Sequence, residues 1–308
     1  MSGPVDRAEA VLRAACGDRV RRDFSLAPLT TFRIGGPAAL YLEPEADDDL
    51  AAAGQAVAVS GLPFLVFGKG SNLLVSDDGF PGLVLRLGRG YRWAAREGDR
   101  LRAGGSMPLP ALSGVALRHG LDGLAFGVAI PATVGGAVRM NAGAHGHSMS
   151  DVVTSIAVVH LSDGRPDSIP GKEAGFSYRR SSLPEDAVVT GVTVSLEPGD
   201  PAVIRAEMDA ARDWRRRTQP LAEPNCGSVF KNPPDDHAAR LIEAAGWKGH
   251  RVGGAQVSTK HANFIVAEPG ARAEDVLALI LAVQAAVEAD VGVRLEPEVH
   301  LVGAFDGL

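Results

Sequence analysis

The hydrophobic and polar positions of the 308-residue chain follow helical spacing in some segments and extended spacing in others, which predicts a mixed α+β fold. Ala- and Leu-rich segments with apolar residues at helical spacing predict helices at residues 5–16, 47–60, 108–119, 202–217, 237–245 and 273–290. Short apolar runs between turn residues predict strands at 38–42, 64–67, 83–87, 152–160, 188–196, 254–257, 263–266 and 294–302.

The character of the chain changes after Pro201. A helix with one charged side is followed by a proline-containing link and then by a shorter section of mixed helices and strands. We therefore expect a domain boundary near residues 200–218. Periodicity does not show which region of the fold the last strand joins.

Composition narrows the functional classes. With 45% apolar and 22% charged residues the chain is typical of globular proteins, and its length suggests two or three compact units. A net charge of -6 gives no general attraction for nucleic acid. Cys16 and Cys226 are far apart and have no metal-ligand spacing, which predicts a reducing compartment and no metal site. Without an apolar signal segment or a bilayer-length apolar run, we expect a cytoplasmic protein that binds no membrane.

A glycine-containing loop at residues 67–75 follows a predicted strand. Its main-chain N–H groups and the side chains of Ser71 and Asn72 can form an anion-binding concavity. Leu73 occupies the place of the third glycine of the Rossmann fingerprint, so the loop is not that motif. On its own such a loop is more often a plain turn than a phosphate site.

Small residues dominate the stretch 130–144. This composition suits a flat aromatic ligand lying against the backbone, with Thr133 and Asn141 as hydrogen-bonding partners. A close crossing of two backbones would need the same composition, and both interpretations stay open at this stage.

Two further stretches carry polar groups suited to acid–base chemistry. Arg179 and Arg180, in residues 176–182, can bind a carboxylate or phosphate, although a solvated pair of arginines is the more frequent case. Ser228 follows a glycine and lies near Lys231 and Asn232, without the GxSxG pattern of a hydrolase. Such a serine can give a proton to a strongly basic carbanion.

Residues 295–301 alternate in polarity near the C-terminus. If they form a strand, Glu296, Glu298 and His300 lie on one face. Two carboxylates near an arginine could form a site in which neighbouring charges shift the pKa values of the carboxylates. An exposed polar face of an edge strand is the more common explanation.

Taken together and in order, these motifs resemble the UDP-N-acetylenolpyruvoylglucosamine reductase family (UDP-N-acetylmuramate dehydrogenase, MurB). The resemblance runs from about Leu29 to Gly303 and corresponds to the shorter type of the family, without an inserted Tyr-bearing loop. The matching stretches are residues 30–36, 68–75, 134–137, 140–144, 178–181, 227–233, 253–258 and 295–299.

The resemblance implies a fold with a bipartite FAD-binding region of the vanillyl-alcohol-oxidase (PCMH) type and a C-terminal α+β substrate-binding domain. On this basis we expect the first FAD-binding subdomain at residues 1–88, with 293–308 returning to it. The second FAD-binding subdomain is expected at 89–200 and the substrate-binding domain at 201–292.

The implied activity belongs to peptidoglycan precursor synthesis in the cytoplasm. NADPH reduces non-covalently bound FAD, and UDP-N-acetylglucosamine enolpyruvate then receives a hydride at its methylene carbon. A proton added at the carbon next to the carboxylate gives UDP-N-acetylmuramate. The resemblance implies no nucleic-acid or membrane partner, and we expect a monomer.

The resemblance also assigns roles residue by residue. It implies Ser228 as the proton donor, Arg179 as the ligand of the substrate carboxylate, and Glu298 as the carboxylate that works with this arginine. The implied FAD-binding residues are Arg33, Gly68, Lys69, Gly70, Ser71, Asn72, Thr133, Val134, Gly135, Gly136 and Asn141. The implied substrate-binding residues are Tyr178, Lys231, Asn232, Lys248 and His261. The run Arg215–Arg217 could face the pyrophosphate or be a solvated helix end.

The chain departs from the family pattern at two glycine positions, where it has Ala129 and Ala132. A left-handed backbone at Ala132 would cost about 1 kcal/mol. Two other functions fit less well. A flavin oxidase of the same fold would often attach FAD covalently, and an inactive sugar-nucleotide-binding relative would not need Arg179, Ser228 and Glu298 together.

Overall fold

The computed structural model describes residues 3–305. Its α-helices are α1 (Pro4–Cys16), α2 (Asp47–Ser60), α3 (Leu109–Arg118), α4 (Val134–Arg139), α5 (Pro201–Thr218), α6 (Ala238–Ala244) and α7 (Ala273–Val291). Short 3₁₀ turns lie at Gly17–Arg19, Ala27–Leu29, Arg89–Tyr91, Ala125–Ala129, Met149–Asp151 and Gly171–Glu173.

The strands are short and numerous. They are β1 (Arg21–Ser25), β2 (Pro37–Leu42), β3 (Phe64–Val66), β4 (Leu73–Val75), β5 (Phe80–Leu85), β6 (Ala94–Glu97), β7 (Arg100–Gly104), β8 (Leu121–Asp122), β9 (Gly143–Ala144), β10 (His147–Ser148), β11 (Val153–His160), β12 (Pro166–Pro170), β13 (Ala187–Ser195), β14 (Glu197–Pro198), β15 (Arg251–Val252), β16 (Ala255–Val257), β17 (Ile265–Ala267) and β18 (His300–Val302).

The described chain divides into two compact units, and neither is continuous in sequence. Unit 1 comprises residues 3–24, 39–69 and 81–214, and unit 2 comprises 25–38, 70–80 and 215–305. The loop at residues 67–75 therefore contains one of the boundaries.

The first core of unit 1 lies between α1, α2 and the sheet of order β1-β2-β5-β3. Three aspartates in the first turn of α2 face the positive end of the helix dipole, and Gly61 ends the helix with φ +72. Asp49 is 8% exposed and receives two hydrogen bonds from Arg19, at 2.6 and 2.7 Å. This ion pair fixes the turn after α1 on α2 and holds the pKa of Asp49 down, at about 2.

The second core of unit 1 packs α3 and α4 against the five-stranded sheet β12-β11-β13-β7-β6. Strand β13 is buried on both faces over most of its length, which explains its nearly continuous apolar sequence. Its neighbours β11 and β7 both run antiparallel to it. Helix α4, which contains Gly135 and Gly136, is held in place by its packing on this sheet.

Unit 2 is built around α7, α6 and the antiparallel sheet β15-β16-β17. The two short inserted segments of the unit contribute Phe32, Ile34 and Leu74 to its core. A Cβ on Gly36 would lie 2.2 Å from the main-chain oxygen of Asp77, so only glycine permits this close approach. The last strand, β18, pairs in parallel with β4.

The predicted helices are confirmed, with bounds within two residues of those expected. The predicted strand at residues 294–302 is wrong over most of its length, because only His300–Val302 is a strand. Pro297 makes one isolated bridge to Phe230 and has no N–H with which to extend the ladder. Within residues 3–305, no helix has the length and apolar character needed to span a bilayer.

Candidate active site

A cavity of about 250 Å³ opens in unit 1, and four of the residues predicted to bind FAD line it. They are Gly68, Thr133, Gly135 and Gly136. Gly68 lies just after β3, and the other three lie at the start of α4. The structure thus brings together glycines that are far apart in the sequence.

The glycines of the cavity serve two different purposes. A Cβ on Gly68 would lie 2.9 Å from Thr133 Oγ1, so this glycine lets two chain segments approach at the cavity wall. A Cβ on Gly135 would lie 3.1 and 3.2 Å from the main-chain oxygens of Val189 and Gly105, which is a close backbone crossing. Gly136 has no such crossing and donates its N–H to Thr133 Oγ1 at 3.3 Å.

Four arginines and one glutamate give the cavity a positive lining. Arg86, Arg89, Arg92 and Arg139 contribute to its wall, and Glu43 lies 3.6 Å from Arg86 in an ion pair. A glycine-walled pocket with several guanidinium groups suits a flat ligand that carries phosphates, and the residues present therefore fit FAD. Sequence reasoning missed these arginines, although Arg86, Arg89 and Arg92 recur at intervals of three residues.

The two alanines that depart from the family pattern cause no backbone strain. Among residues 3–305, positive φ at non-glycine positions occurs at six residues, and neither Ala129 nor Ala132 is one of them. Three of the six are predicted site residues, namely Arg33, Asn141 and Arg179. Local strain of this kind is concentrated at functional sites in proteins.

Arg179 lies at the tip of a tight turn in unit 1. Ser177 and Arg180 exchange both main-chain hydrogen bonds, at 3.0 and 3.1 Å, and leave Tyr178 and Arg179 between them. Arg179 has φ +55, and its guanidinium carbon lies 5.1 Å from the centre of the Tyr178 ring. The Tyr178 side chain is 54% exposed.

Other predicted FAD-binding residues of unit 1 lie away from the cavity lining. Val134 is fully buried in the core and donates its N–H to the Met107 oxygen at 2.8 Å. Asn141 is 6% exposed and directs its side chain to main-chain groups, donating to the Ser177 oxygen at 3.0 Å. Lys69 is exposed at the end of the Gly68 turn. Their roles stay predictions.

Ser228 is half-buried in unit 2, on a backbone that several groups hold in place. Gly227 has φ +83 and donates its N–H to Asn225 Oδ1 at 2.9 Å, which sets the turn before the serine. After the serine, Asn263 binds both main-chain groups of Phe230, at 2.9 and 2.8 Å. Asn263 was not identified from the sequence, because an isolated asparagine carries no pattern.

Glu298 lies beside the Ser228 segment within unit 2. Its N–H donates to the Val229 oxygen at 2.7 Å, and its own main-chain oxygen accepts from Asn72 Nδ2 at 3.0 Å. Burial, followed by the charge of Glu298, raises the pKa of the Cys226 thiol, which indicates that this carboxylate is near Cys226. Asn72 thus links the glycine-containing loop to the segment that carries Glu298.

The remaining predicted residues of that loop also belong to unit 2. The Gly70 oxygen accepts from the N–H of Thr31 at 2.9 Å, and Gly70 has φ +66. Ser71 is half-buried, and Arg33 is exposed with φ +59.

The predicted substrate-binding residues of unit 2 form two groups. Lys231 pairs with Glu296, and Asn232 Oδ1 accepts from the N–H of Ala238, the first residue of α6, at 3.1 Å. Lys248 pairs with Glu243 at 2.8 Å. Burial and then the charge of Lys248 lower the pKa of His261, so Lys248 and His261 lie near each other.

The side chains of Glu296 and His300 have separate interactions. Glu296 forms an ion pair with Lys231, while burial and then the charge of Lys231 lower the pKa of His300. Of the arginine run, Arg215 is half-buried, donates to Gln219 Oε1 at 2.7 Å and has its pKa lowered by burial. Arg215 is therefore not a solvated helix end.

Comparison with known proteins identifies the family of the chain. The family model for the C-terminal domain of UDP-N-acetylenolpyruvoylglucosamine reductase matches residues 219–302, and a model for an FAD-binding domain matches 38–166. The reductase of an Anaeromyxobacter species is 46% identical over 309 residues, covering 99% of this chain and 96% of that protein. The chain belongs to the UDP-N-acetylenolpyruvoylglucosamine reductase family.

Two further members of the reductase family align with nearly the whole chain. Reductase 2 of Symbiobacterium thermophilum is 46% identical and covers 98% of each chain. The crystal structure of the reductase (MurB) from Thermus caldophilus aligns with a TM-score of 0.81 at 38% identity, covering 92% of this chain and 99% of that one. The predicted fold class, with its FAD-binding region, is confirmed.

The fold is shared beyond the reductase family. A variant of Phl p 4, a glucose oxidase, aligns with a TM-score of 0.51 at 13% identity over 74% of this chain. At this identity the likeness concerns the fold alone.

Proposed function

We propose that the chain reduces UDP-N-acetylglucosamine enolpyruvate to UDP-N-acetylmuramate, with FAD as cofactor and NADPH as reductant, in peptidoglycan precursor synthesis. Near-complete alignment with the reductase family carries this proposal. The cavity of unit 1 supports it, because its glycine walls and guanidinium groups suit a flat ring system and phosphates, both of which FAD carries.

The residues proposed to hold FAD are those of the cavity, except Arg139, whose guanidinium binds main-chain oxygens, together with the glycine-containing loop. The glycines and Thr133 form the cavity wall against the cofactor, and Arg86, Arg89 and Arg92 offer charge-assisted hydrogen bonds to its phosphates. FAD, when bound, supplies the two-electron chemistry between NADPH and the substrate. We propose non-covalent binding, so denaturation should release the flavin, and flavin that stays on the chain would indicate the oxidase class instead.

The chain's own residues then have acid–base and electrostatic tasks. Arg179 is proposed to bind the substrate carboxylate, since its guanidinium can form two parallel hydrogen bonds with it. This arginine is also proposed to stabilise the negative charge that develops next to the carboxylate, and Glu298 is proposed to work with it on the enolate-like intermediate. Ser228 gives its proton to the carbon next to the carboxylate.

The setting of Ser228 supports a proton donor rather than a nucleophile. The segment lacks a GxSxG elbow, and its geometry comes from the Gly227 turn and the Asn263 hydrogen bonds. A serine gives up its proton only to a strongly basic acceptor, which the reduced enolpyruvyl group provides.

Five residues are proposed to bind the rest of the substrate, and Tyr178 is one of them. The other four are Lys231, Asn232, Lys248 and His261. Two of them are lysines, which suit the negative charges of the UDP group. We further propose a cytoplasmic monomer, which size-exclusion chromatography with light scattering would test.

A single-turnover experiment tests the role of Ser228. In Ser228→Ala, NADPH should reduce the bound flavin at the wild-type rate, because no proton from the serine is needed. Reoxidation by the enolpyruvyl sugar nucleotide should slow by about 10²- to 10⁴-fold, the usual contribution of a positioned proton donor. Thr259→Ala, an exposed hydroxyl in the same unit, serves as the matched control. Equal loss of both half-reactions would contradict the assigned role.

A further inference from the structure

A single arginine joins the cavity wall to the segment that follows Arg179. Arg139 is the last residue of α4, and it lines the cavity of unit 1. Its guanidinium donates to the main-chain oxygens of Leu183 and Pro184, each at 2.9 Å, and to that of Ala187. One side chain thus serves three carbonyls, two in the irregular segment before β13 and one at the first residue of β13.

Two hydrogen bonds attach the Arg179 turn to the C-terminal end of α4, one before the turn and one after it. Before the turn, the Ser177 oxygen accepts from Asn141 Nδ2 at 3.0 Å. After the turn, Ser181 Oγ donates to the main-chain oxygen of Arg139 at 2.8 Å. Arg139 and Asn141 are separated by one residue, so a single short stretch of chain holds both sides of the turn.

A second hydrogen bond holds the side chain of Asn141. Its Oδ1 accepts from the N–H of Ser150 at 2.9 Å, and the residue is 6% exposed with φ +41. A buried amide with both of its polar groups bonded to the backbone has little rotational freedom. The support of the turn is therefore rigid on the Asn141 side. On the other side, the main-chain oxygen of Arg139 holds Ser181, and its guanidinium holds the segment that follows at Leu183 and Pro184.

The chemistry of the Arg139 contact requires a guanidinium. A planar group with five N–H donors can serve three carbonyls at once, which the single ammonium of lysine does with poorer geometry. Burial lowers the pKa of Arg139, while the nearby charges of Asp186 and Glu185 oppose this shift. Arg139 is half-buried, and a cation removed from water is costly unless its donors are bonded, so mere filling of space would be better served by an apolar side chain.

We propose that Arg139 is a positioning residue, which fixes the Arg179 turn with respect to the cavity in the same unit. The inference rests on the proposed function, in which Arg179 binds the substrate carboxylate. Because α4 also provides Gly135 and Gly136 to the cavity lining, the cofactor pocket and the carboxylate-binding turn have one common support.

The first test compares the two half-reactions in Arg139→Met, which keeps an unbranched side chain without the donors. Flavin content and reduction by NADPH should stay at the wild-type level. The kcat/KM for the enolpyruvyl sugar nucleotide should fall about 10- to 100-fold, because displacing a positioned group by about 1 Å can cost 10²-fold in rate. Arg139→Lys should fall between this variant and the wild type.

Two further measurements separate positioning from a general structural effect. Added guanidinium ion should restore some of the lost activity in Arg139→Ala, which leaves space for it. In an Arg179→Met background, Arg139→Met should cause no further loss, since the two residues act through one interaction. Arg118→Met, an exposed arginine on α3 of the same unit, should behave as the wild type.

Three results would overturn the inference. They are wild-type kcat/KM in Arg139→Met, equal loss of flavin binding and of both half-reactions in Arg139→Met and Arg139→Lys, and additive losses in the double variant. If Arg179→Met alone kept full activity, the proposed role of Arg179 would fail first. That result is distinguishable because it does not involve Arg139.

Discussion

Asn263 offers a quantitative test of how unit 2 holds the Ser228 segment. The side chain is 3% exposed and accepts from the Phe230 N–H at 2.9 Å while donating to the Phe230 oxygen at 2.8 Å. Its own main-chain oxygen accepts from the Val229 N–H at 2.9 Å, and this bond survives any side-chain change. Replacement by alanine therefore removes two specified hydrogen bonds.

The expected loss follows from the groups that are left behind. Phe230 is 2% exposed, so its N–H and its carbonyl would both be buried without the amide partner. Each unsatisfied group costs about 1–3 kcal/mol, and two of them give a loss of roughly 2–6 kcal/mol. Against a total of about 5–15 kcal/mol for a typical domain, this is a large fraction.

Urea unfolding followed by circular dichroism measures the free energy of unfolding directly. Asn263→Asp keeps an acceptor for the Phe230 N–H but places a negative oxygen against the Phe230 carbonyl, so we expect it to be destabilised as well. Thr259→Ala, at an exposed position, should change the stability by no more than about 0.5 kcal/mol. A loss below about 1 kcal/mol in Asn263→Ala would refute the reasoning, since the Phe230 groups would then have found other partners.

Three other perturbations have expected outcomes. Asp49→Asn should remove stability near neutral pH. The Arg19 hydrogen bonds lower the folded-state pKa of Asp49 to about 2, so the wild type loses this contribution as the pH falls from about 4 through 2, and the variant should show a flatter profile there. Lys248→Met should raise the pKa of His261 in an NMR titration, because one of the causes that lower it is removed. Gly105→Ala should prevent flavin retention, since its Cβ would lie 2.1 Å from a main-chain oxygen, and flavin absorbance of the purified protein measures this.

Each of these predictions has a contradicting result. A pH profile of Asp49→Asn with the same acid slope as the wild type would mean that other carboxylates dominate that range. An unchanged His261 titration would place Lys248 too far away to act. Full flavin content in Gly105→Ala would show that the crossing can open at little cost.

Local features of the structure were readable from the sequence. The apolar spacing of residues 273–290 predicts a helix, and α7 ends at Val291, followed by Gly292 with φ +69. Gly68, Thr133, Gly135 and Gly136 were identified from motifs, and they line one cavity. These signals are local in the chain, or they carry a distinctive composition.

The features that could not be predicted from the sequence depend on interactions between residues far apart in the chain. Whether residues 294–299 form a strand depends on the partner, and Pro297 allows only one bridge to Phe230. Arg139 and Asn263 look like ordinary polar residues in the sequence, because the carbonyls that they bind lie far along the chain. The discontinuous units likewise depend on contacts between distant segments.

The discontinuity of unit 2 has a consequence for biosynthesis. All segments of unit 1 have been synthesised by Trp214, but β4 lacks its parallel partner until Val302 has been added. At about 5–20 residues per second, the remaining roughly 90 residues take on the order of 5–20 s. During that time the segments 25–38 and 70–80, with Phe32 and Leu74, have no core to join. A nascent chain stalled in this interval should expose these apolar residues to chaperones and proteases.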